Sequence, residues 1–255
     1  MEKDYNVPNL EKGIMILEYL SVKPMGDTLQ GIKLNIDISQ TTAYRILNTL
    51  LKHQLLIYNE KTKHYKLSRK LLTLGYKALN EHSQLDIILP KLREIRDLVK
   101  ETVCYGILGE QKGIFIEQAQ GNHTFKFVLD PGKSFELHCS APGKAILAFL
   151  PNNIREKYIN EISFIKHTNH TIINIEQYLI ELEEVKKNGY AIDNEEELIG
   201  VICIGVPIFD FKNYPCGAIW TSGPKGRLDK QTITKNAKIL SEFSKIISYE
   251  LGYIN

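Results

Sequence analysis

Apolar residues recur at intervals of three and four along most of the chain, and in shorter stretches they alternate with polar ones, which predicts helices joined to short strands. Leu10, Ile14 and Leu17, with Ile16 and Leu20, mark a first helix from Asn9 that ends at Lys23-Pro24-Met25-Gly26. A short second helix is expected over 28–35 with Leu29 and Ile32 inward, followed by a turn at Asp37-Ile38. Ser39 suits an N-cap, and Ala43, Ile46, Leu47 and Leu50 share one face of a third helix running to about His53. The other face carries Gln40, Thr41, Tyr44, Arg45, Asn48 and Lys52, with Thr42 beside them. Strands at 55–58 and 64–67, joined by 59–63, then form a hairpin with Lys61 and Lys63 at its tip. Three helices followed by a basic-tipped hairpin are the order of a winged helix-turn-helix. In such a unit the third helix offers donors and acceptors to base edges, and the tip lysines reach phosphates.

The apolar pattern continues through Leu71, Leu72, Leu74, Tyr76 and Leu79 as a linker helix to about His82. So much apolar surface on a linker predicts that it packs against its own copy in a dimer. Beyond it, a helix over 86–101 has Ile88, Leu92, Ile95 and Val99 in register and Pro90 in its first turn. Strands are predicted at 103–108, 113–119 and 124–129, with a turn at 130–132. A loop from Leu137 leads directly into a helix at 141–147, and helices near 152–161 and 175–188 follow, the last ended by Gly189. Two strands at 201–209 and 217–222 and a helix at 229–251 complete an α+β domain with a mostly antiparallel sheet. The predicted organisation is therefore a winged helix-turn-helix over 1–69, a linker helix over 70–83 and an α+β domain over 84–255.

Charge sharpens this division. Residues 1–80 hold 12 Lys/Arg against 7 Asp/Glu, and residues 81–255 hold 20 against 23, so a basic part that meets a polyanion precedes one that does not. Cys104, Cys139, Cys203 and Cys216 are widely spaced, which argues against a zinc module or a disulfide framework. Neither a leader-like start nor a membrane-length apolar run occurs, so a reduced, cytoplasmic protein without a membrane partner is expected.

The candidate chemistry lies at Ala141, Pro142 and Gly143, where free N–H groups and the helix dipole favour a carboxylate or phosphate, less the donor that Pro142 removes. Enzyme readings find little support. Gly143-Lys144 precedes Ala145, and His138 stands where a P-loop needs its first glycine. His138 and Cys139 are sequence neighbours, which rarely point at each other, and no G-x-S-x-G elbow occurs. The alternative kept open is an enzyme or a metal or redox sensor using His138, Cys139 and Cys203, with Asp193 as a further ligand, although no ligand spacing supports a metal. No cofactor is expected.

Several blocks, in the same order along nearly the whole chain, resemble the IclR family of bacterial transcription regulators. They are Leu10-Glu11-Lys12-Gly13, Thr41-Thr42-Ala43-Tyr44-Arg45-Ile46-Leu47 and Tyr65-Lys66-Leu67-Ser68, then Leu137-His138 through Gly143-Lys144-Ala145, Gly189-Tyr190-Ala191-Ile192-Asp193 through Gly200, and Ser222-Gly223-Pro224. The resemblance implies a winged helix that binds double-stranded operator DNA, a GAF-like effector domain, dimers that pair into tetramers, and small organic acids as effectors. It further implies that the 141–143 loop holds the effector, assisted by Asp193, Cys203 and Ser222, with Phe135 and Val201 as apolar walls. Asp37 and Ser39 depart from the family's usual Gly and Pro. Trp220 stands where a small or hydroxyl residue is common near the effector, and its ring is expected to shrink the pocket or to stack on an aromatic ligand. The mechanism expected is an effector-driven shift between arrangements of the dimer that alters operator affinity.

Overall fold

The computed structural model describes residues 7–78 and 84–253. The chain forms two compact units, Met1–Glu81 and His82–Asn255. Among the described residues no helix is long and apolar enough to cross a membrane.

The first unit runs α1 (Pro8–Ser21), β1 (Asp27–Thr28), α2 (Leu29–Ile36), α3 (Gln40–Lys52), β2 (Leu56–Asn59), β3 (His64–Leu67) and α4 (Lys70–Ala78). Ile16, Leu20, Ile32, Leu47 and Tyr65 meet in its core, so the apolar stripes of all three first helices converge. The two-residue strand β1 was not foreseen. It pairs antiparallel with β3 at Asp27↔Tyr65 and Thr28↔His64, making a sheet of order β1-β3-β2. Gly26 makes that approach possible: its φ is +72°, and a Cβ there would lie 2.2 Å from the Tyr65 carbonyl oxygen. Of the predicted linker helix, α4 occupies Lys70–Ala78, and the 79–83 part lies outside the described residues.

The second unit runs α5 (Gln84–Val99), β4 (Thr102–Leu108), β5 (Gly113–Ala119), β6 (Ser134–Phe135), α6 (Ala141–Phe149), α7 (Asn152–Glu161), α8 (Ile175–Asn188), β7 (Ala191–Asn194), β8 (Val201–Phe209), β9 (Pro215–Pro224) and α9 (Lys230–Glu250). Its six strands lie in the order β6-β5-β4-β9-β8-β7, every neighbouring pair antiparallel. Side chains alternate between the faces of this sheet. Tyr105, Ile204, Val206 and Ile219 pack with residues of α5 and α9, whereas Cys104, Cys203 and Trp220 pack with residues of α6 and α8.

Two expectations are corrected here. Pro90 lies inside α5, well past its first turn; it is on the exposed side, so its ring displaces no core contact. The alternating segment at 124–129 is not a strand. The β5 backbone at Phe115 bonds instead to 132–133, donating to the Lys133 carbonyl and accepting from the Gly132 N–H, both at 2.8 Å. The 124–129 segment is held by side chains: the Gln118 amide donates to the Leu129 carbonyl (2.7 Å) and accepts from the Leu129 N–H (3.1 Å), and Thr102 Oγ1 donates to the Phe127 carbonyl (2.6 Å).

Candidate nucleic-acid interface and effector cavity

In the first unit the turn between α2 and α3 is built by the two residues that depart from the family pattern. Asp37 closes α2 in the left-handed region at φ +51°, a conformation that Asp tolerates better than most side chains. Ile38 is buried as the anchor of the turn. Ser39 caps α3, its Oγ accepting from the Thr42 N–H at 3.2 Å and donating to Thr42 Oγ1 at 2.8 Å. With Ala43, Ile46 and Leu47 buried, the helix leaves Gln40, Thr41, Tyr44, Arg45, Asn48 and Lys52 exposed on one side, with Thr42 half-buried in the cap. Tyr44 is 54% exposed, so its ring contributes little to the core. The hairpin tip is ordered by Asn59, whose Oδ1 accepts from the N–H groups of Lys61 and Thr62. Lys63 is left-handed at φ +58°, and its N–H returns to the Asn59 carbonyl. Lys61 and Lys63 are both exposed there.

In the second unit, strand register assembles a row that spacing in the sequence does not reveal. Asp193 on β7 faces Cys203 on β8, Cys203 faces Ser222 on β9, and Ser222 faces Thr102 on β4. The Cys203 Sγ and Ser222 Oγ lie 3.2 Å apart. Two residues along the strands, Gly205, Trp220 and Cys104 form the parallel row. Above this floor is a cavity of about 290 Å³. Phe115, Phe127, Leu129 and Phe135 wall it on one side, Pro142, Leu198 and Val201 on another, and Lys133 and Ser134 stand at its rim. The Trp220 ring packs edge-on against both Phe115 and Phe135, at centroid distances of 6.0 and 5.4 Å.

Seven of the residues expected around an effector meet here: Phe135, Pro142, Asp193, Val201, Cys203, Trp220 and Ser222. Ala141 and Gly143 do not line the cavity. The Gly143 N–H is already used, donating to Ser140 Oγ at 3.1 Å, and a Cβ on Gly143 would lie 2.6 Å from the Leu137 backbone. Ala141 abuts β8, where a Cβ on Gly205 would come within 2.8 Å of its carbonyl carbon. Both residues thus seat α6 on the sheet. Sequence reading missed Phe115, Phe127, Lys133 and Ser140 as lining residues; the alternating Phe125-Phe127-Leu129 pattern was the available signal, read as a strand rather than a wall.

Asp193 is fully buried, not part of a solvated turn. Burial pushes its carboxyl up to about 7, against the opposing hydrogen bond from the Glu196 N–H to its Oδ1 at 2.7 Å. Burial likewise raises the Cys203 thiol well above its ordinary value. Behind this corner lies a buried ion cluster. Lys144 Nζ donates to Glu196 (2.6 Å), Glu181 (3.0 Å) and the Ile192 carbonyl (2.5 Å). Burial works against the Lys144 charge, but the two carboxylates outweigh it and hold the ammonium above its ordinary value. Glu196 is raised because its burial outweighs the attraction of Lys144.

Known proteins match both units. The model of the IclR helix-turn-helix domain matches residues 9–60, and that of the bacterial transcriptional regulator IclR C-terminal domain matches residues 76–249. The HTH-type transcriptional repressor AllR of Escherichia coli is 26% identical over 243 residues, covering 95% of this chain and 90% of the repressor. The crystal structure of Thermotoga maritima IclR superposes with a TM-score of 0.80 at 30% identity, covering 97% of this chain and all of that one. An IclR homologue from Microbacterium hydrocarbonoxydans, crystallised with 4-hydroxybenzoate, shares the fold at a TM-score of 0.83 and 18% identity, over 95% of this chain and 98% of that one. With its helix-turn-helix followed by an α/β domain that matches the IclR C-terminal model, the chain belongs to the IclR family of bacterial transcriptional regulators.

Proposed function

We propose that this regulator binds operator DNA through the exposed face of α3 and the tip of the hairpin, and that a small carboxylate effector in the cavity sets its operator affinity. The observation that carries the effector reading is the cavity itself: a hydroxyl and a thiol paired on its floor, aromatic walls, and one cationic side chain, Lys133, at its rim. An acid whose carboxylate accepts from Ser222 on the floor, drawn in by the positive charge of Lys133 at the rim, and whose body lies against Phe135, Val201 and Trp220 fits those groups. Asp193, held largely protonated at mildly acidic pH, offers a donor to a ligand hydroxyl or carbonyl, and Cys203 adds a weaker one. Pro142 closes the wall, while Ala141 and Gly143 act by seating α6. The relative crystallised with 4-hydroxybenzoate makes that acid a natural member of a test panel.

Trp220 is the only tryptophan of the chain and lines the cavity, so its fluorescence reads occupancy directly. One acid of a panel of hydroxy-, oxo- and aromatic carboxylates is expected to change that emission saturably, and Ser222→Ala to weaken its binding about tenfold, the order of one charge-assisted hydrogen bond. A folded protein whose emission and melting temperature ignore the whole panel would end the carboxylate reading.

On the DNA side, Gln40, Thr41, Thr42, Tyr44, Arg45, Asn48 and Lys52 are assigned to the major groove and its flanking phosphates, and Lys61 and Lys63 to phosphates. Arg45→Ala is expected to cost about 1–3 kcal/mol of operator affinity, selectively at one base pair if Arg45 reads a base and equally on all sequences if it holds phosphate. Electrophoretic shifts on the DNA flanking its own gene, with competitor DNA present, separate these outcomes; an unchanged affinity would move the reading helix elsewhere. Coupling between the two activities runs through the proposed linker at 70–83 in an oligomer, where effector binding favours one spacing of paired helix-turn-helix units over another.

A further inference from the structure

Three side chains outside the cavity lining converge on a point between the loop that leads into α6 and the 162–174 segment. One ring nitrogen of His138, the Sγ of Cys139 and one ring nitrogen of His167 lie within 4.8 Å of one another. His138 and Cys139 are fully buried, and His167 is exposed. His138 Nε2 is 3.0 Å from the Ile165 carbonyl, which only accepts, so Nε2 carries the proton and Nδ1 keeps a lone pair. That Nδ1 is buried and has no hydrogen-bond partner among the described residues. A buried acceptor left in this way is costly unless something occupies it. The pattern is the one metal-bound histidines adopt, one ring nitrogen fixed on a backbone carbonyl and the other turned to the cation.

We infer that His138 Nδ1, Cys139 Sγ and His167 bind one zinc ion, with a fourth coordination position left to water. Two imidazoles and one thiolate suit the borderline-soft Zn²⁺ rather than Mg²⁺ or Ca²⁺, which take oxygen ligands. The backbone of the third ligand is already fixed. Thr171 Oγ1 accepts from the His167 and Thr168 N–H groups at 3.1 and 2.8 Å and donates to the Glu196 carbonyl at 2.6 Å, so rotation of one exposed side chain completes the set. On binding, the Cys139 S–H bond breaks, the Sγ–Zn bond forms, and one proton leaves to solvent. No short-spaced motif joins His167 to His138-Cys139, because His167 arrives from a separate loop. Cys203 and Asp193, considered from the sequence as further ligands, belong to the cavity row and not to this group.

The test uses full-length protein stripped with a chelator and verified as folded by circular dichroism. Titration with Zn²⁺ against a chromophoric chelator is expected to give one ion per chain with sub-micromolar affinity. Co²⁺ in its place should produce thiolate-to-cobalt charge-transfer absorption. Cys139→Ser should abolish that absorption. His167→Ala, at an exposed position, removes a direct ligand and should weaken zinc by more than the roughly 10–100-fold typical of losing an outer-shell partner, and leave the melting temperature of the metal-free protein unchanged. If Cys139→Ser fails to fold, His167→Ala alone decides. Wild-type protein without the thiolate band, or zinc affinity unmoved by His167→Ala, would overturn the site. Because no effector or DNA enters the assay, its outcome is independent of the regulatory reading.

Discussion

Lys144→Met is expected to destabilise the C-terminal unit by about 3–5 kcal/mol, the range for removing one partner of a buried ion pair. The loss comes less from the missing attraction than from what remains: Glu196, only 7% exposed, keeps a carboxylate with no cation beside it, and its Oε2 already has no hydrogen-bond partner among the described residues. The Ile192 carbonyl loses its Nζ donor as well. Removing both charges should therefore be milder than removing one, and Lys144→Met/Glu196→Met is expected to recover at least half of the loss. Urea unfolding followed by Trp220 emission isolates this unit, because the first unit contains no tryptophan. A single-variant loss under about 1 kcal/mol would mean that the cluster is solvated rather than buried. The functional consequence is local, since Lys144 ties α6 to β7 and to Glu181 of α8, and α6 and β7 both carry cavity residues.

The second large effect concerns pH. Asp193 in the folded protein titrates near 7, above its unfolded value near 3.8, so between those values the native state holds a proton that the unfolded chain has released. The contribution of this group is fully present below about pH 4, declines as pH rises through the window, and is flat above 7. Its full size is on the order of 4 kcal/mol. Asp193→Asn, which retains an acceptor for the Glu196 N–H, is expected to be more stable than wild type at pH 8 by about 2–4 kcal/mol and equal to it near pH 4. Glu196 and Glu197 are raised by burial too and their charges act on Asp193, so the wild-type slope belongs to the three carboxyls together, and the difference between the two curves isolates Asp193. Parallel stability curves across pH 4–8 would show that Asp193 is ionised throughout.

The helices were the most legible part of the chain, for a physical reason: a stripe such as Ala43-Ile46-Leu47 or Ile88-Leu92-Ile95 encodes its own period and needs no partner to be recognised. Caps were equally local: Ser39 begins and Gly189 ends the helix expected of it. Strands fared worse because their identity depends on a neighbour. The segment at 124–129 alternates like a strand but finds its hydrogen bonds in the side chains of Gln118 and Thr102, while β1 and β7 are too short to carry a pattern. The cavity was half legible. The resemblance supplied Asp193, Cys203 and Ser222, but that they form one row depends on the register of three strands, and the aromatic wall depends on the misread segment. Gly143 was chosen for a free amide that the Ser140 cap had already claimed, and Ala141 is packed against β8 instead of facing the cavity.

The two faces of the six-stranded sheet are served by separate cores, and alternate positions on β8 and β9 belong to one or the other. Cys203 and Trp220 can change without altering Ile204 or Ile219, their immediate neighbours along the chain, because those side chains point away into the layer shared with α5 and α9. A change of shape on the cavity face is thereby separated from the packing of the layer on the other side of the sheet. On the effector reading proposed above, cavity positions on β8 and β9 can vary one at a time while the opposite core keeps its own contacts.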